Sequence, residues 1–566
     1  MRLRGFADFM PMNPSSAYRA PMSILAEGIE RHAGAIVIAA QLAMLAVVQA
    51  AGEFPVNDDW AYAHSVRWLL DEQRIRLSDW SAMNLLPQTL LGAGASVLFG
   101  YSLSTLRHVA QLFSVVVAWA IFRWFAAVGI GRRDALVASI VVMAMPCWPV
   151  LSNSFMSDIF GMLFAIPAAT LYLRALRAPS TGTITLATLL ATAGILERQV
   201  VLVVPAAFLV AWLVANRPWR LRTLAIGIVP VTVALSVEFA YHAYLAFGPG
   251  VPENQQYVQG RVLPALFKLL SNEDRYAVWV ASNIATLAGY LGLFIAPWAL
   301  WRGALTRRRE SWALVAAACL AAFMLAIGWL PPFRDHNLMD AAGIGPQLLY
   351  DSFPGTPASL DRSAGVLWRC AAVAAAYGMT VLVVVVARSA HAIARSAAND
   401  RGERLYLVAL LGAYLLPFVI TDYFDRYLLF VLPFALALVA RCWPERAAMV
   451  RIAAAVWIAL ALTLGIAATH DYFAWNRARW DAIHAAERLG ATADTLDGGF
   501  EYNGYYRFEI KPHSTGAGKS WWWIADDRYV VAFSVPPGFV EHARFEVNRW
   551  LARTPPAIFL LERVGG

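Results

Sequence analysis

The chain has 566 residues, of which 59% are hydrophobic and only 15% are charged. Soluble domains carry about 25% charged residues, so the composition excludes an ordinary soluble protein and indicates a polytopic membrane protein. The net charge of +8 does not indicate nucleic-acid binding, because the basic residues cluster in short connectors, which the positive-inside rule assigns to the cytoplasmic side.

Thirteen apolar segments have about the length that crosses a bilayer as a helix. With the N-terminus inside, the basic connectors all fall on the cytoplasmic side and the C-terminus lies outside. The predicted spans are 34–52, 103–125, 134–151, 158–175, 183–197, 199–215, 223–247, 277–301, 311–330, 365–387, 405–420, 427–441 and 451–469.

These patterns predict an all-α polytopic membrane protein with about 13 transmembrane helices, followed by a small C-terminal α/β extracytoplasmic domain. We place the membrane module at residues 1–469 and the outer domain at 470–566. Within the outer domain, 475–489 has a helical pattern, whereas 529–535 and 557–564 have the β-branched and aromatic content of strands.

The first outward loop, residues 53–102, carries the most informative stretch, NDDWAYAHSVRWLL. Its apolar residues recur at helical spacing, which predicts an amphipathic helix along the membrane surface. Residues 87–100 predict a second surface helix. The apolar face of the first helix consists of Tyr62, Val66, Leu69 and Leu70.

Asn57, Asp58 and Asp59 stand at the start of this helix. Asn and Asp are ordinary N-caps, and acids favour the positive end of a helix. One cap needs only one side chain, however, and two adjacent acids exceed that need. The pair therefore has two interpretations, a cap alone or a cap beside a functional carboxylate.

The chain resembles the GT-C type of membrane glycosyltransferase that uses polyprenyl-phosphate sugars, which includes the aminoarabinose transferases and the protein O-mannosyltransferases. That family has an acidic pair at the start of its first outward loop, often followed by Tyr-Ala, as Asp58-Asp59 is here by Tyr62-Ala63. Other segments that resemble the family are LFGYSLSTLR (98–107), MSDIFGMLFAIPAATLYLRAL (156–176) and DRYLLFVLPFALAL (425–438).

The resemblance implies transfer of a sugar from a polyprenyl phosphate to an envelope glycan, lipid or protein on the outer face of a bacterial cytoplasmic membrane. Such a reaction needs a carboxylate that takes the proton of the acceptor and cations that stabilise the leaving phosphate. A single displacement would invert the anomeric centre. Asp58 is the candidate base, Asp59 shares that role or caps the helix, and Asp158 assists the base or caps the fourth span.

The candidates for contact with the donor phosphate are basic residues expected on the outer side. Arg198 has an alternative role in a structural pair with Glu197, and Arg426 has one in an ion network with nearby acids. Where relatives often show Thr-Lys, this chain has Glu197-Arg198-Gln199, which leaves open which cation meets the phosphate. The full set is Arg67, Arg107, Arg198, Lys268 and Arg426.

Tyr62 and His64 are candidates for substrate binding, although a histidine at a surface more often has no such role. Trp521, Trp522 and Trp523 either stack on sugar rings or rest at the bilayer interface. No residue spacing demands a cofactor, and a divalent cation is left open because some relatives use one; the lipid-linked sugar is the donor substrate. Nucleic acid is not expected as a partner.

Two rival functions share this hydropathy. A transporter or lipid flippase would place ionisable residues near the middle of the membrane, and Glu238 is the main candidate for such a charge. A non-catalytic envelope-assembly subunit would use its outer domain to bind a partner.

Overall fold

The computed structural model describes residues 21–271, 274–334, 337–339, 365–395, 397–443, 451–511, 523–552 and 554–565. The fold is a bundle of helices with a small sheet at one end. The helices, in chain order, are α1 (Pro21–Val48), α2 (Asp59–Glu72), α3 (Leu86–Phe99), α4 (Leu103–Val128), α5 (Arg132–Met143), α6 (Cys147–Leu151), α7 (Ser157–Arg177), α8 (Thr181–Glu197), α9 (Val203–Ala215), α10 (Leu221–Phe247), α11 (Glu253–Leu270), α12 (Asp274–Trp301), α13 (Ser311–Ala326), α14 (Val366–Arg395), α15 (Ala398–Ile420), α16 (Leu428–Cys442), α17 (Arg451–Arg488) and α18 (Phe500–Arg507).

The fold class predicted from the sequence is confirmed. Within the described residues, eight helices are long and apolar enough to cross a membrane, namely α1, α4, α7, α10, α12, α14, α15 and α17. The thirteen predicted spans all fall on helical segments, but the count of thirteen crossings stays a prediction. The segment predicted as one span at 134–151 is divided into α5 and α6, because Pro146 has no N–H to continue the ladder.

Small residues set how closely the long helices approach. α12 packs against α14 where Gly292 meets Gly378, and a Cβ on Gly378 would overlap the carbonyl of Gly292. Close backbone approach at small residues is a common way for membrane helices to associate, because lipid offers no hydrophobic driving force between them. Any larger side chain at Gly378 would force these two helices apart.

The first loop packs deeper than its sequence pattern indicated. Residues Trp60 to Ala63 of α2 are buried, and so is Val66. The C-terminal residues cover this helix: a Cβ on Gly504 of α18 would overlap the ring of Trp60. α2 is thus held between the bundle and α18.

The last long helix continues through residue 470, where the outer domain was predicted to begin. α17 spans 38 residues, or about 57 Å at 1.5 Å per residue, compared with a hydrocarbon core of about 30 Å. The helix predicted at 475–489 is therefore the end of α17 rather than a separate element.

Beyond α17, residues 489–565, here called the C-terminal region, contain α18 and a four-stranded sheet of order β1-β2-β4-β3. β1 pairs parallel with β2, and the other pairs are antiparallel. The two strands predicted from the sequence are present as β2 and β4. The strands are β1 (Leu496–Asp497), β2 (Tyr529–Ala532), β3 (Phe539–Glu546) and β4 (Ala557–Arg563).

The C-terminal region is joined to α17 by a buried carboxylate. Asp471 accepts hydrogen bonds from the backbone N–H groups of Trp550 (2.7 Å) and Leu551 (2.8 Å) and from the hydroxyl of Thr554 (2.6 Å). His470 stacks on the Trp550 ring with the centroids 3.7 Å apart. These contacts fasten the loop between β3 and β4 to the part of α17 that extends from the bundle.

Candidate active site

Two buried ion pairs at the end of the bundle that bears the C-terminal region form the candidate site. The start of α2 supplies the first acid. Asn57 has φ 55°, a left-handed conformation that Asn adopts more readily than most residues, and its N–H donates to Glu501 of α18 at 3.2 Å. This turn directs the next residue, Asp58, into the bundle.

Among the described residues, the side chain of Asp58 makes no capping bond to α2. Its Oδ2 accepts from the guanidinium of Arg426 at 2.9 Å, and its Oδ1 accepts from the indole N–H of Trp80 at 3.0 Å. The side chain of Asp58 is 14% exposed and that of Arg426 is 5% exposed. The side chain of Asp58 therefore does not cap α2, and its role as a functional carboxylate stays a prediction.

Asp158 and Arg198 form the second pair, at 2.7 Å between Oδ1 and the guanidinium, with side-chain exposures of 7% and 5%. Arg198 also donates to the hydroxyl of Ser157 at 3.1 Å. The cap role for Asp158 is absent within the described part of α7, whose N-cap is Met156 without a side-chain bond. The alternative pairing of Arg198 with Glu197 is also not adopted, since Glu197 accepts from the backbone N–H of Gln88 at 2.9 Å.

The two pairs meet at one aromatic ring. The guanidinium carbon of Arg198 lies 5.2 Å from the centroid of Tyr427, and that of Arg426 lies 5.6 Å from it. Tyr62 is buried within electrostatic range of Asp58 and both arginines, and burial raises its pKa. The structure therefore brings together five predicted residues from distant parts of the sequence, Asp58, Tyr62, Asp158, Arg198 and Arg426.

Arg426 is held by the residue that precedes it. Asp425 is fully buried and accepts from the backbone N–H groups of Met339 (2.7 Å), Leu338 (3.3 Å) and Arg426 itself (2.7 Å). The Nε of Arg426 and the Oδ2 of Asp158 are buried without a hydrogen-bond partner within the described ranges. Both atoms therefore keep hydrogen-bonding capacity that a ligand in the site can use.

Asp59 faces away from these pairs. Its Oδ1 accepts from the N–H of Val56 at 2.6 Å and its Oδ2 from the N–H of Phe155 at 3.1 Å. Burial raises the pKa of Asp59 to about 7, although both backbone donors act in the opposite direction. Successive side chains of a helix point about 100° apart, so Asp59 faces a different direction from Asp58. Its contacts fasten the start of α2 to the loop before α7.

His64 lies against the C-terminal region. Its Nε2 is 2.8 Å from the carbonyl of Tyr505, and its ring stacks on that residue with the centroids 4.6 Å apart. Burial lowers the pKa of His64 to about 4, so the ring is neutral near pH 7 and Nε2 carries the proton that it donates. Through these contacts, His64 links α2 to α18.

The other three predicted phosphate contacts have different surroundings. Arg107 donates to the carbonyls of Ala50 (3.0 Å), Gly52 (2.5 Å) and Phe54 (2.5 Å). Arg67 is 55% exposed and lies 3.6 Å from Asp71 on the same helix. Lys268 is exposed near the end of α11.

A buried polar cluster around Asn84 escaped the sequence analysis. The amide of Asn84 donates to Glu238 at 2.6 Å and accepts from Gln199 (2.7 Å) and Gln255 (2.9 Å). Glu238, on which the transporter alternative depended, therefore joins α10 to the first loop. A single asparagine in a polar loop gives no periodic signal, so its partners more than 100 residues away could not be inferred.

An apolar cavity of about 560 Å³ lies between α5, α12, α14 and α17. Met339 lines this cavity, and its backbone N–H is one of the donors to Asp425. The cavity thus comes close to the segment that holds Arg426. Within the described residues, no group of three or more His, Cys, Asp or Glu side chains could hold a metal ion.

Two solved structures are similar to the structure of this chain. ArnT from Cupriavidus metallidurans, bound to undecaprenyl phosphate, shares 13% identity at a TM-score of 0.39, covering 96% of this chain and 99% of that one. The archaeal oligosaccharyltransferase AglB from Archaeoglobus fulgidus, in complex with an inhibitory peptide and a dolichol-phosphate, shares 12% identity at a TM-score of 0.37. That match covers 80% of this chain but only 58% of AglB.

No curated protein matches the chain. Residues 89–242 match the family model described as dolichyl-phosphate-mannose-protein mannosyltransferase. The matched segment runs from α3 to α10 and contains Asp158 and Arg198, whereas Asp58 and Arg426 lie outside it. Over this segment, the resemblance to the GT-C type of membrane glycosyltransferase is confirmed.

Proposed function

We propose that the protein transfers a sugar from a polyprenyl-phosphate donor to a hydroxyl or amine of an envelope glycan, lipid or protein. The observation that carries this proposal is the meeting of the Asp58–Arg426 and Asp158–Arg198 pairs at Tyr427. Buried charges are expensive, and ionisable residues that face the interior of a membrane bundle commonly mark functional sites. Two carboxylates beside two guanidiniums supply both the base and the phosphate contacts that the reaction needs.

The reaction requires the ion pairs to exchange partners. The donor phosphate binds Arg426 and Arg198, which releases Oδ2 of Asp58 from its cation. The acceptor oxygen or nitrogen then attacks the anomeric carbon, its proton passes to Asp58, and the bond from that carbon to the phosphate oxygen breaks. The electron pair of the broken bond stays on the lipid phosphate, which the two guanidiniums stabilise. A single displacement inverts the configuration at the anomeric carbon.

The apolar cavity supports a lipid-carried donor. Its volume lies within the range of ligand sites in proteins, about 300–1,000 Å³, and the described residues that line it are mostly apolar. Because Met339 connects the cavity wall to Asp425, an isoprenoid chain in the cavity would lie near the phosphate-binding guanidiniums. The description of the matched family, which names a dolichyl-phosphate-linked sugar, agrees with this class of donor.

The proposed location is a bacterial cytoplasmic membrane, with the N-terminus inside and the C-terminal region outside. Basic connectors support this orientation through the positive-inside rule. Sugar nucleotides are made inside the cell, so a site on the outer face requires a sugar that a membrane lipid carries across. The proposed orientation and the proposed donor are therefore consistent with each other.

Substitution of Asp58 tests the proposal. In a strain that lacks the protein, mass spectrometry should show that a polyprenyl-linked sugar accumulates and that the same sugar disappears from an envelope component. Wild-type protein should reverse both changes. The D58N variant should transfer at least about 100-fold more slowly, since general bases contribute 10²–10⁴-fold.

The matched control is D71N, because Asp71 lies on the same helix with 65% side-chain exposure. D71N should restore transfer as wild type does, at equal protein level on an immunoblot. If D58N also restores transfer, Asp58 is not the base and the proposed mechanism fails. If neither sugar pool changes in the deletion strain, the proposed function itself fails.

A further inference from the structure

Four aromatic rings pack around Trp80, whose indole N–H bonds Asp58, and with it they form what we call the aromatic cluster: Trp60, Trp80, Phe500, Phe508 and Trp523. The ring centroid of Trp80 lies 5.4 Å from those of Phe508 and Trp523, 5.8 Å from that of Phe500 and 5.9 Å from that of Trp60. Most of these contacts are edge to face, an arrangement that aromatic pairs prefer. Three members belong to the C-terminal region, so that region packs on the first loop beside Asp58.

The chain around Trp80 is held by hydrogen bonds as well as by packing. Asn254 of α11 donates to the carbonyl of Trp80 at 2.8 Å. Ser78 donates to Glu509 at 2.6 Å, and Lys511 contacts Asp79 at 2.7 Å. Both ends of Ser78–Trp80 are therefore fixed by other elements, and the indole has little freedom to reorient.

The indole N–H of Trp80 uses that fixed position to bond Oδ1 of Asp58 at 3.0 Å. Oδ2 is bound separately by Arg426 at 2.9 Å. When Arg426 turns to the donor phosphate, the bond from Trp80 still holds the carboxylate. Oδ2 then becomes available to the acceptor while Oδ1 keeps its orientation.

We propose that Trp80 is a positioning residue that orients the carboxylate of Asp58 for proton transfer, and that the C-terminal region acts on the reaction by fixing Trp80. This inference rests on the proposed function. It gives the C-terminal region a role in catalysis through one hydrogen bond.

Trp60 provides a matched comparison within the same cluster. Its ring is fully buried, and its centroid lies 5.3 Å from Phe508 and 5.9 Å from Trp523. Its indole nitrogen has no hydrogen-bond partner in the described part of the chain. A Trp-to-Phe change at position 60 therefore removes a similar ring volume without removing a bond to Asp58.

The test compares W80F with W60F by transfer kinetics at one fixed pH, with kcat and the donor KM measured separately. The donor probe is the lipid fraction extracted from the deletion strain, and the acceptor is the cell envelope of that strain. W80F should lower kcat about 10- to 100-fold, the range for a hydrogen bond to a charged group, with the donor KM within about two-fold of wild type.

The fall is expected in kcat and not in the donor KM, because Trp80 bonds the carboxylate of Asp58 and not the donor. W60F should keep the wild-type kcat and KM, since the indole nitrogen of Trp60 has no hydrogen-bond partner among the described residues. A merely structural role for Trp80 predicts instead that the two variants behave alike.

Benzothienylalanine at position 80 exchanges the N–H for sulfur in a ring of nearly the same shape, and it serves if W80F does not fold. An unchanged kcat with this residue or with W80F, while D58N is inactive, overturns this inference alone. An active D58N would instead overturn the proposed function. The two failures are therefore distinguishable.

Discussion

A buried arginine that already has a carboxylate partner can bind a phosphate only if it shares or exchanges that partner. Arg426 and Arg198 are in this situation, and each lies within 6 Å of the Tyr427 centroid. Arg67, by contrast, is half exposed and paired with a neighbour on its own helix. Exposed pairs of this kind contribute at most about 1 kcal/mol, so the two types of arginine should differ in function.

We therefore expect R426Q to lower kcat/KM for the lipid donor by about 100-fold or more, because the leaving phosphate loses a preorganised cation. R67Q should remain within about three-fold of wild type. Both values come from the same mass-spectrometric transfer assay, with thermal unfolding as a check that each variant is folded. Equal effects of the two substitutions would remove Arg426 from the phosphate site.

Single residues differed in how far the sequence could predict them. Asp158 and Arg198 stood out because charge at the end of an apolar span is costly. Asp58 stood out because it begins an acidic pair that resembles the family's, and Arg426 because it opens a span among acids. The resemblance favoured Asp58 as the base, but the direction of the Asp59 side chain depends on how α2 is rotated against the bundle. Trp80 gave no signal, because its bond to Asp58 depends on packing by the C-terminal region.

At the scale of elements, α17, α18 and the start of α2 meet at one buried ion pair. Arg479 contacts Glu501 at 2.7 Å with both side chains 1% exposed. Glu501 also accepts from the hydroxyl of Tyr472 at 3.0 Å and from the N–H of Asn57 at 3.2 Å. This pair thus connects the end of the longest helix to the residue before Asp58.

E501A should lower the free energy of unfolding by about 3–5 kcal/mol, because it leaves the guanidinium of Arg479 buried and unpaired. The control is E546A, which removes a 72% exposed partner of Arg544 on β3 and should change stability by less than about 0.5 kcal/mol. Denaturant unfolding of the purified protein, followed by tryptophan fluorescence, measures both. If E501A unfolds at the same denaturant concentration as E546A, the Glu501 contacts do not stabilise the junction.

The long apolar helices and strands β2 and β4 were predicted in order, because apolar length and β-branched content are local properties. The continuation of α17 past residue 470 was missed, because the end of an apolar run marks where a span ends and not where its helix ends. β3 was missed because its side chains are mostly exposed and because a register shift between Glu541 and Ala543 interrupts the alternation that identifies a half-buried strand. Local pattern therefore identified the apolar helices and two strands, whereas tertiary contact determined where α17 ends and how deeply α2 is buried.

At the scale of the whole molecule, the proposed mechanism depends on orientation. The two ion pairs and the C-terminal region lie at the same end of the bundle, and the basic connectors lie at the opposite ends of the long helices. If the positive-inside rule holds for this chain, the site opens to the outer face, where the lipid-linked sugar would be. The reverse orientation would place the site beside cytoplasmic sugar nucleotides and remove the need for a lipid donor.

Labelling of single cysteines should decide the orientation. After the four natural cysteines are replaced by Ala, D71C and E541C present exposed thiols on α2 and β3, while R174C and R220C present them at the opposite end. A membrane-impermeant maleimide should label the first two variants in intact spheroplasts and the last two only after permeabilisation. Thiols are labelled only where the reagent reaches them, so the inverse pattern would place Asp58 on the cytoplasmic side and exclude transfer at the outer face.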